Sequence, residues 1–435
     1  MKKLFFIVIL SIPFILCSQE LPVYKATRYD TADIKGYYFL TSTQGLIILD
    51  KDINVIYFKP GKLFFDFTMQ ENGLMVYETS DNIYFMDSTF HVVDSFTTKN
   101  NIELDPHDRL ILPDGNLLLL GCEKVKINLL KYPDIVKNFK YDSLNITFPV
   151  IQEQNKKHNV VFEWHGKEHF KITDADSLIV KPFDVHSNAL ALDDDGNILL
   201  SSKNLNEITK INRKTGAIIW RMGGKRNEFK FINCPVPFYG QHDIKKLPNG
   251  HYTLFDNGDS PIPHNARAME FELDEINKNA TLVWSYETDA NAYGRGSVQR
   301  LNNGSTLIGL GRHRGGDDCF EVVSPSGKKI LHVNGLFAYR VKNYSVLPFQ
   351  LHRPVISCFD SAGVNYLDAG AGYRSYKWST GDSTRIIKVQ KAGDYFVFTP
   401  YGDAGYISSE KFNVADMLMP CNLRPSANRN KNKDR

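Results

Sequence analysis

The sequence predicts an all-β chain: a six-bladed β-propeller followed by a small immunoglobulin-like β-sandwich. Three observations lead there. Helical periodicity is almost absent from the 435 residues. A hairpin signature recurs instead: an apolar residue, a turn of Pro, Asp or Asn with Gly, then an apolar strand. Its three strongest consecutive copies are evenly spaced, with turn glycines Gly196, Gly250 and Gly304 lying 54 residues apart.

The copies justify the blades in order. TQGLIILD (residues 43–50) and ENGLMVYE (71–78) are weak copies, with Gly45 and Gly73 at the turns. LPDGNLLLLG turns at Gly115, LDDDGNILLSS at Gly196, LPNGHYTLFDNG at Gly250 and LNNGSTLIGLG at Gly304. Tight hairpins need positive φ, which Gly adopts freely and Asn or Asp tolerates. A second hairpin often follows the first, as in INRKTGAIIW (211–220), FELDEINKNATLVW (271–284) and VVSPSGKKILHV (322–333). Two hairpins make one four-stranded blade, so six copies predict six blades over residues 20–351. A row of β-sandwich domains is the rival reading.

From residue 352 the pattern changes to short alternating strands around Trp378. About seventy residues, 352–421, suit one immunoglobulin-like unit, read as a spacer or adhesion module. Cys358 and Cys421 bracket it and are its expected disulfide. The tail 422–435 is basic and poor in apolar residues, so it reads as disordered.

The N-terminus reads as an export signal over residues 1–18. Lys2 and Lys3 precede an apolar run, 4–16, too short to anchor in a bilayer. Cys17 raises a lipoprotein reading, but Leu16 stands where such a signal needs a small residue. No later segment is apolar enough to span a membrane. With 52 basic against 49 acidic residues, nothing calls for a nucleic-acid partner. No cysteine spacing resembles a zinc site, and oligomeric state is not legible.

The chemistry concentrates in three histidines. His107 and His242 each lie eight residues before a turn glycine, in HDRLILPDG and HDIKKLPNG, and His186 lies ten before, in HSNALALDDDG. First strands of propeller blades line the central channel, so equivalent positions converge on the axis. Three converging imidazoles can hold a transition metal. They can also supply a nucleophile and proton donors for transfer of an anionic group. Asn188 and Lys203 favour the anion, because a cation beside a metal is unfavourable. Asp108 and Asp243 read as structural, turned into their blades. His251, His264 and His313 fall outside the repeat position.

The ordered motifs VHSNALALDDDGNILLSSKN, GQHDIKKLPNGHYTLFDNGD, ARAMEFELD and GSVQRLNNGSTLIGLG resemble the arylsulfate sulfotransferases. The likeness covers residues 184–311 strongly, His107 more weakly, and not the C-terminal module. It implies a cofactor-free ping-pong reaction with no metal. A phenolic sulfate gives its sulfuryl group to a histidine, and a phenol acceptor takes it. By this resemblance His242 carries the group, His186 and Asn188 form the family's His-x-Asn pair, and His107 is the early histidine. His107 would move the phenol's proton, and Asn188 and Lys203 would bind substrate, as would Arg267 of the ARAMEF motif, for which a structural ion pair is the equal alternative. Lys203 stands where the family has arginine and lacks that side chain's planar fork. An exported binding propeller and a metal-dependent hydrolase remain the alternatives.

Overall fold

The structure is a computed structural model that describes residues 21–30, 35–136, 140–175, 184–259, 262, 264–312 and 316–415. The expected export signal, the tail and Cys421 lie outside them. Six antiparallel sheets, each with at least four strands, follow one another along the chain. Blade 2 comprises Phe67–Met69, Met75–Glu78, Ile83–Met86 and Val92–Phe96; blade 3, Glu103–Ile111, Leu117–Asn128, Ser143–Gln154 and Val160–His165. Blade 4 comprises Ser187–Leu192, Ile198–Ser202, Glu207–Ile211 and Ile218–Gly223. His242–Lys246, Tyr252–Asp256, Arg267–Asp274 and Asn279–Glu287 form blade 5, edged by Lys230–Ile232 in parallel. Blade 6 runs Ser297–Arg300, Thr306–Gly309, Asp318–Val323 and Lys329–Asn334, edged by Lys25–Arg28.

Blade 1 closes the ring. Its outer strands Tyr37–Thr41, Gly45–Leu49 and Val55–Pro60 come early, whereas its innermost strand, Val341–Tyr344, comes after blade 6. The first strands pack on one another in sequence from blade 3 through blade 6, then on Val341–Tyr344, then on blade 2. That circular order is a six-bladed propeller. Closure leaves no exposed inner edge, and apolar residues from facing blades fill the space between. Leu118, Ile151, Leu190 and Leu200, for instance, share one core between blades 3 and 4.

The turn chemistry works as the sequence requires. Gly73, Gly115, Gly196, Gly250 and Gly304 adopt φ between 77° and 85° at the first hairpin of blades 2 to 6. An L side chain there would strain the turn.

The histidine strands share one irregularity. In blade 4, Ser187 pairs with Ser202 but Ala189 with Ser201; in blade 5, His242 pairs with Phe255 but Lys245 with Thr253. In blade 3 the register jumps from Arg109 to Leu104. These bulges break the strict alternation of faces. Asp108 and Asp243 therefore do not turn into their blades as expected; they turn toward the axis and the next blade. Asp108 accepts the Leu190 N–H at 2.8 Å and Asp243 the Val298 N–H at 3.1 Å, tying blade 3 to 4 and blade 5 to 6. Both reach Arg340, which also pairs with Asp66 at 3.2 Å and donates to the Asn188 carbonyl at 2.7 Å. One fully buried guanidinium thus joins four blades, its charge held by carboxylates despite burial.

The C-terminal module has its own core around Trp378, Leu367, Val397 and Val414. It is not a detached unit. Gly405–Ser408 pairs with Val55–Pro60, so its sheet continues blade 1 outward. Asp403 also accepts the Val92 N–H, and the Ser408 hydroxyl donates to the Val55 carbonyl at 2.8 Å. Cys358 is disulfide-bonded, and the described cysteines 122, 234 and 319 are free.

Candidate active site

The bulged first strands of blades 3, 4 and 5 bring together three imidazoles that lie far apart along the chain. The His107 and His186 ring centroids lie 4.8 Å apart, and those of His186 and His242 6.2 Å apart. Phe65 and Tyr339 flank His107, with centroids at 6.2 and 5.7 Å. The side chains of His107 and His186 are 23% and 29% exposed, whereas His242 is 2% exposed and forms the floor.

The hydrogen bonds of His242 define its tautomer. Nδ1 lies 2.7 Å from Oδ1 of Asn257 and 3.0 Å from the Gly240 carbonyl. Both partners accept, so Nδ1 carries the proton. The Asn257 amide is itself oriented by donating Nδ2–H to the Arg295 carbonyl at 2.9 Å. Nε2 is left with its lone pair, which accepts the Arg295 backbone N–H at 3.1 Å. A hydrogen bond on one ring nitrogen thereby makes the other a nucleophile.

The two outer histidines each have a carboxylate two residues earlier. Asp105 bonds both Nδ1 and the backbone N–H of His107. Asp184 lies 3.2 Å from His186 Nδ1 and accepts the His186 N–H at 2.6 Å. His186 itself sits at φ 52°, a left-handed conformation stabilised by that bond.

Electrostatics separates the rings. Burial, then the nearby His186, drives His242 well below the ordinary histidine pKa, and His107 and Lys203 push the same way against the Asn257 bond. Burial also works against the charge of His107, but Asp105 and then Asp184 outweigh it and raise its pKa. One ring is held neutral and its neighbour is biased toward the protonated form. Opposed pKa shifts in one pocket are the pattern of a base or nucleophile beside an acid.

The arylsulfotransferase (ASST) family model matches residues 22–321, more than two thirds of the chain and all of blades 2 to 5. The chain belongs to the arylsulfotransferase family. It is therefore a sulfotransferase acting on small-molecule donors and acceptors. No curated protein matches. Among solved structures, a Bacteroides caccae protein of unknown function has 14% identity and TM-score 0.47, covering 71% of this chain and 98% of its own. A catalytically inactive variant of virginiamycin B lyase from Staphylococcus aureus, with quinupristin, has 11% identity and TM-score 0.38, covering 79% and 96%.

In this arylsulfotransferase the expected substrate-binding residues are placed differently from one another. Lys203 stays beside the histidines, its ammonium 3.3 Å from Asp259. Asn188 is fully buried, and its Nδ2 donates to the Gln241 carbonyl at 2.9 Å, so it positions the backbone next to His242. Arg267 takes the structural ion pair that the sequence leaves open for it beside pocket contact. Its guanidinium bonds Asp256 through Nε at 2.8 Å and Nη2 at 2.5 Å, and reaches the Val236 and Pro237 carbonyls. Asp256 also accepts the Tyr239 and Gly258 N–H groups, so Arg267 serves a structural clamp. His264 joins that clamp at 2.9 Å, and His251 pairs with Glu270 in a turn; His313 lies outside the described residues.

Sequence reasoning missed Asp105, Asp184, Asn257 and Arg295. The first two were findable, because each stands two residues before a singled-out histidine. Among the described residues no three His, Cys, Asp or Glu side chains are grouped to hold a metal, and no helix is long and apolar enough to cross a membrane. A cavity of about 940 Å³ lies elsewhere, between blade 1 and the C-terminal module, lined by Tyr24, Tyr37, Arg353 and Phe398. It touches none of the three histidines.

Proposed function

We propose that this arylsulfotransferase is exported, that residues 20–351 form its catalytic unit and 352–421 an immunoglobulin-like module, and that it transfers sulfuryl groups between phenols through a sulfo-histidine. One observation carries the reading: a neutral, buried imidazole whose Nε2 lone pair is held, among the described residues, only by the Arg295 N–H stands beside an imidazole biased toward protonation. In the first half-reaction a phenolic sulfate displaces the Arg295 N–H from Nε2 of His242. The N–S bond forms as the ester S–O bond breaks, and His107 gives its proton to the departing phenolate oxygen. The ring becomes an N-sulfo-imidazolium, its Nδ1–H still donated to Asn257 and Gly240. In the second half-reaction His107 takes the proton of an incoming phenol, whose oxygen attacks sulfur and returns His242 to its neutral form. Lys203 and His186 border the transferring group, and Lys203 supplies positive charge. Imidazole suits both steps because it is a fair nucleophile and a fair leaving group.

The test mixes purified protein with p-nitrophenyl sulfate and a phenol acceptor, with and without EDTA. Release of p-nitrophenol should depend on acceptor, resist EDTA and vanish in His242→Ala. Release abolished by EDTA would transfer the case to metal-assisted hydrolysis, and no release would favour a binding propeller.

A further inference from the structure

The cations near His242 differ in what they hold. Lys203 faces Asp259, Arg267 clamps Asp256, and Arg340 is held by Asp66, Asp108 and Asp243. Arg295 is unlike them. Its backbone is fixed on both sides, the N–H on His242 Nε2 and the carbonyl on Asn257 Nδ2. Its half-buried guanidinium makes no hydrogen bond or ion pair among the described residues. Its titratable neighbours are Tyr339, Arg312 and Tyr293, with no carboxylate among them. Burial, and then the charge of Arg312, weighs against its protonation and lowers its pKa.

Arg312, its neighbour, is exposed. Its backbone N–H donates to the Gly294 carbonyl at 2.9 Å, which pins it to the loop that carries Arg295. Its guanidinium lies 5.1 Å from the Tyr293 ring centroid and has no acceptor among the described residues. A third group is also unsatisfied. The Tyr339 hydroxyl is buried with no hydrogen-bond partner among the described residues, on a ring that flanks His107. Two neighbouring guanidinium groups with no counter-charge repel, and the partial burial of Arg295 adds to the cost of its own charge. An oxyanion between them relieves both terms, and the planar fork of arginine matches its oxygens.

We propose that Arg295, supported by Arg312, is the oxyanion-binding residue of the histidine pocket and grips the non-bridging oxygens of the sulfuryl group. The proposal rests on the sulfo-histidine reading and adds a residue that no sequence motif singled out. Arg295 makes and breaks no bond. It holds oxygens that keep their negative charge while sulfur passes from phenol oxygen to Nε2 and back. Its backbone position beside Nε2 lets one residue sense both the free nucleophile, through the N–H, and the transferred group, through the side chain.

The experiment compares wild type, Arg295→Met, Arg295→Lys and His242→Ala in the full chain. Methionine is unbranched, so at φ 63° it asks nothing of the backbone that arginine does not. Inorganic sulfate binding is measured by calorimetry, and kcat and KM with p-nitrophenyl sulfate and phenol. Arg295→Met should lose sulfate binding and fall on the order of 10²-fold in kcat/KM for the donor, with Arg295→Lys recovering part of both. His242→Ala should keep sulfate binding while losing transfer. If Arg295→Met bound sulfate and turned over donor like wild type, the proposal would be wrong. It would be equally wrong if that variant lost only its preference for acceptors bearing a second anionic group. Full transfer by His242→Ala would instead remove the sulfo-histidine reading, with the calorimetry still deciding Arg295. Should Arg295→Met not fold, Arg312→Met reads the same two quantities.

Discussion

Replacing Asn257 with alanine isolates the orientation of the nucleophile from its identity. The 2.7 Å bond from His242 Nδ1 to Asn257 Oδ1 is between neutral groups before attack. It becomes a bond from a cationic ring once sulfur is attached to Nε2. Neutral hydrogen bonds contribute about 1 kcal/mol and those to charged groups about 1.5–3 kcal/mol, so the gain is made in the transition state. The Gly240 carbonyl at 3.0 Å remains, so the tautomer survives in part. Losing that difference, about 0.5–2 kcal/mol, slows sulfation roughly 2- to 30-fold. KM should change little, because Asn257 touches the ring and not the donor. The assay is the first-turnover burst of p-nitrophenol in a stopped-flow instrument, with the melting temperature as a control on folding. A burst rate within twofold of wild type, in a folded variant, would refute the orienting role.

Other outcomes follow from the same arrangement. Asp105→Asn removes the charge that outweighs burial at His107, so His107 should lose its proton at lower pH. Donor kcat/KM needs that proton, and its alkaline limb should move to lower pH in a pH–rate profile; an unmoved limb would contradict the acid role. Glu207 is fully buried, and burial first of all pushes its pKa up to about 7 from 4.5. A raised carboxylate stabilises the fold below pH 4.5 and loses that contribution as pH rises through 7. Glu207→Gln should therefore gain on wild type by roughly 3 kcal/mol between pH 4.5 and 8, read from urea midpoints at each pH; a constant difference would contradict it. Arg340→Met leaves Asp66, Asp108 and Asp243 around a vacant axis and should cost about 3–5 kcal/mol, and a wild-type urea midpoint would show the axial charge to be dispensable.

What could be read from the sequence was local. The turn glycines announce themselves because positive φ restricts residue choice, and they set the blade count. The convergence of residues 107, 186 and 242 followed from repeat position, since equivalent places on inner strands meet at the axis. What could not be read was long-range or irregular. Nothing local says that Val341–Tyr344 pairs with Tyr37–Thr41 some 300 residues away, or that the C-terminal sheet adds to Val55–Pro60. The bulges defeated simple alternation, so Asp108 and Asp243 were assigned to the wrong direction. Arg267 and Arg295 look alike as letters. One meets Asp256 across a strand pair and is neutralised, and the other sits in a loop with no carboxylate near it.

The central claim is that His242 carries the sulfuryl group, and the most direct measurement is intact-mass analysis after exposure to p-nitrophenyl sulfate without acceptor. The account predicts one added sulfuryl group, mapped by peptide fragmentation to His242, acid-labile and discharged by phenol. An unmodified chain that nevertheless transfers sulfate, or an adduct on His107 or His186, would contradict it.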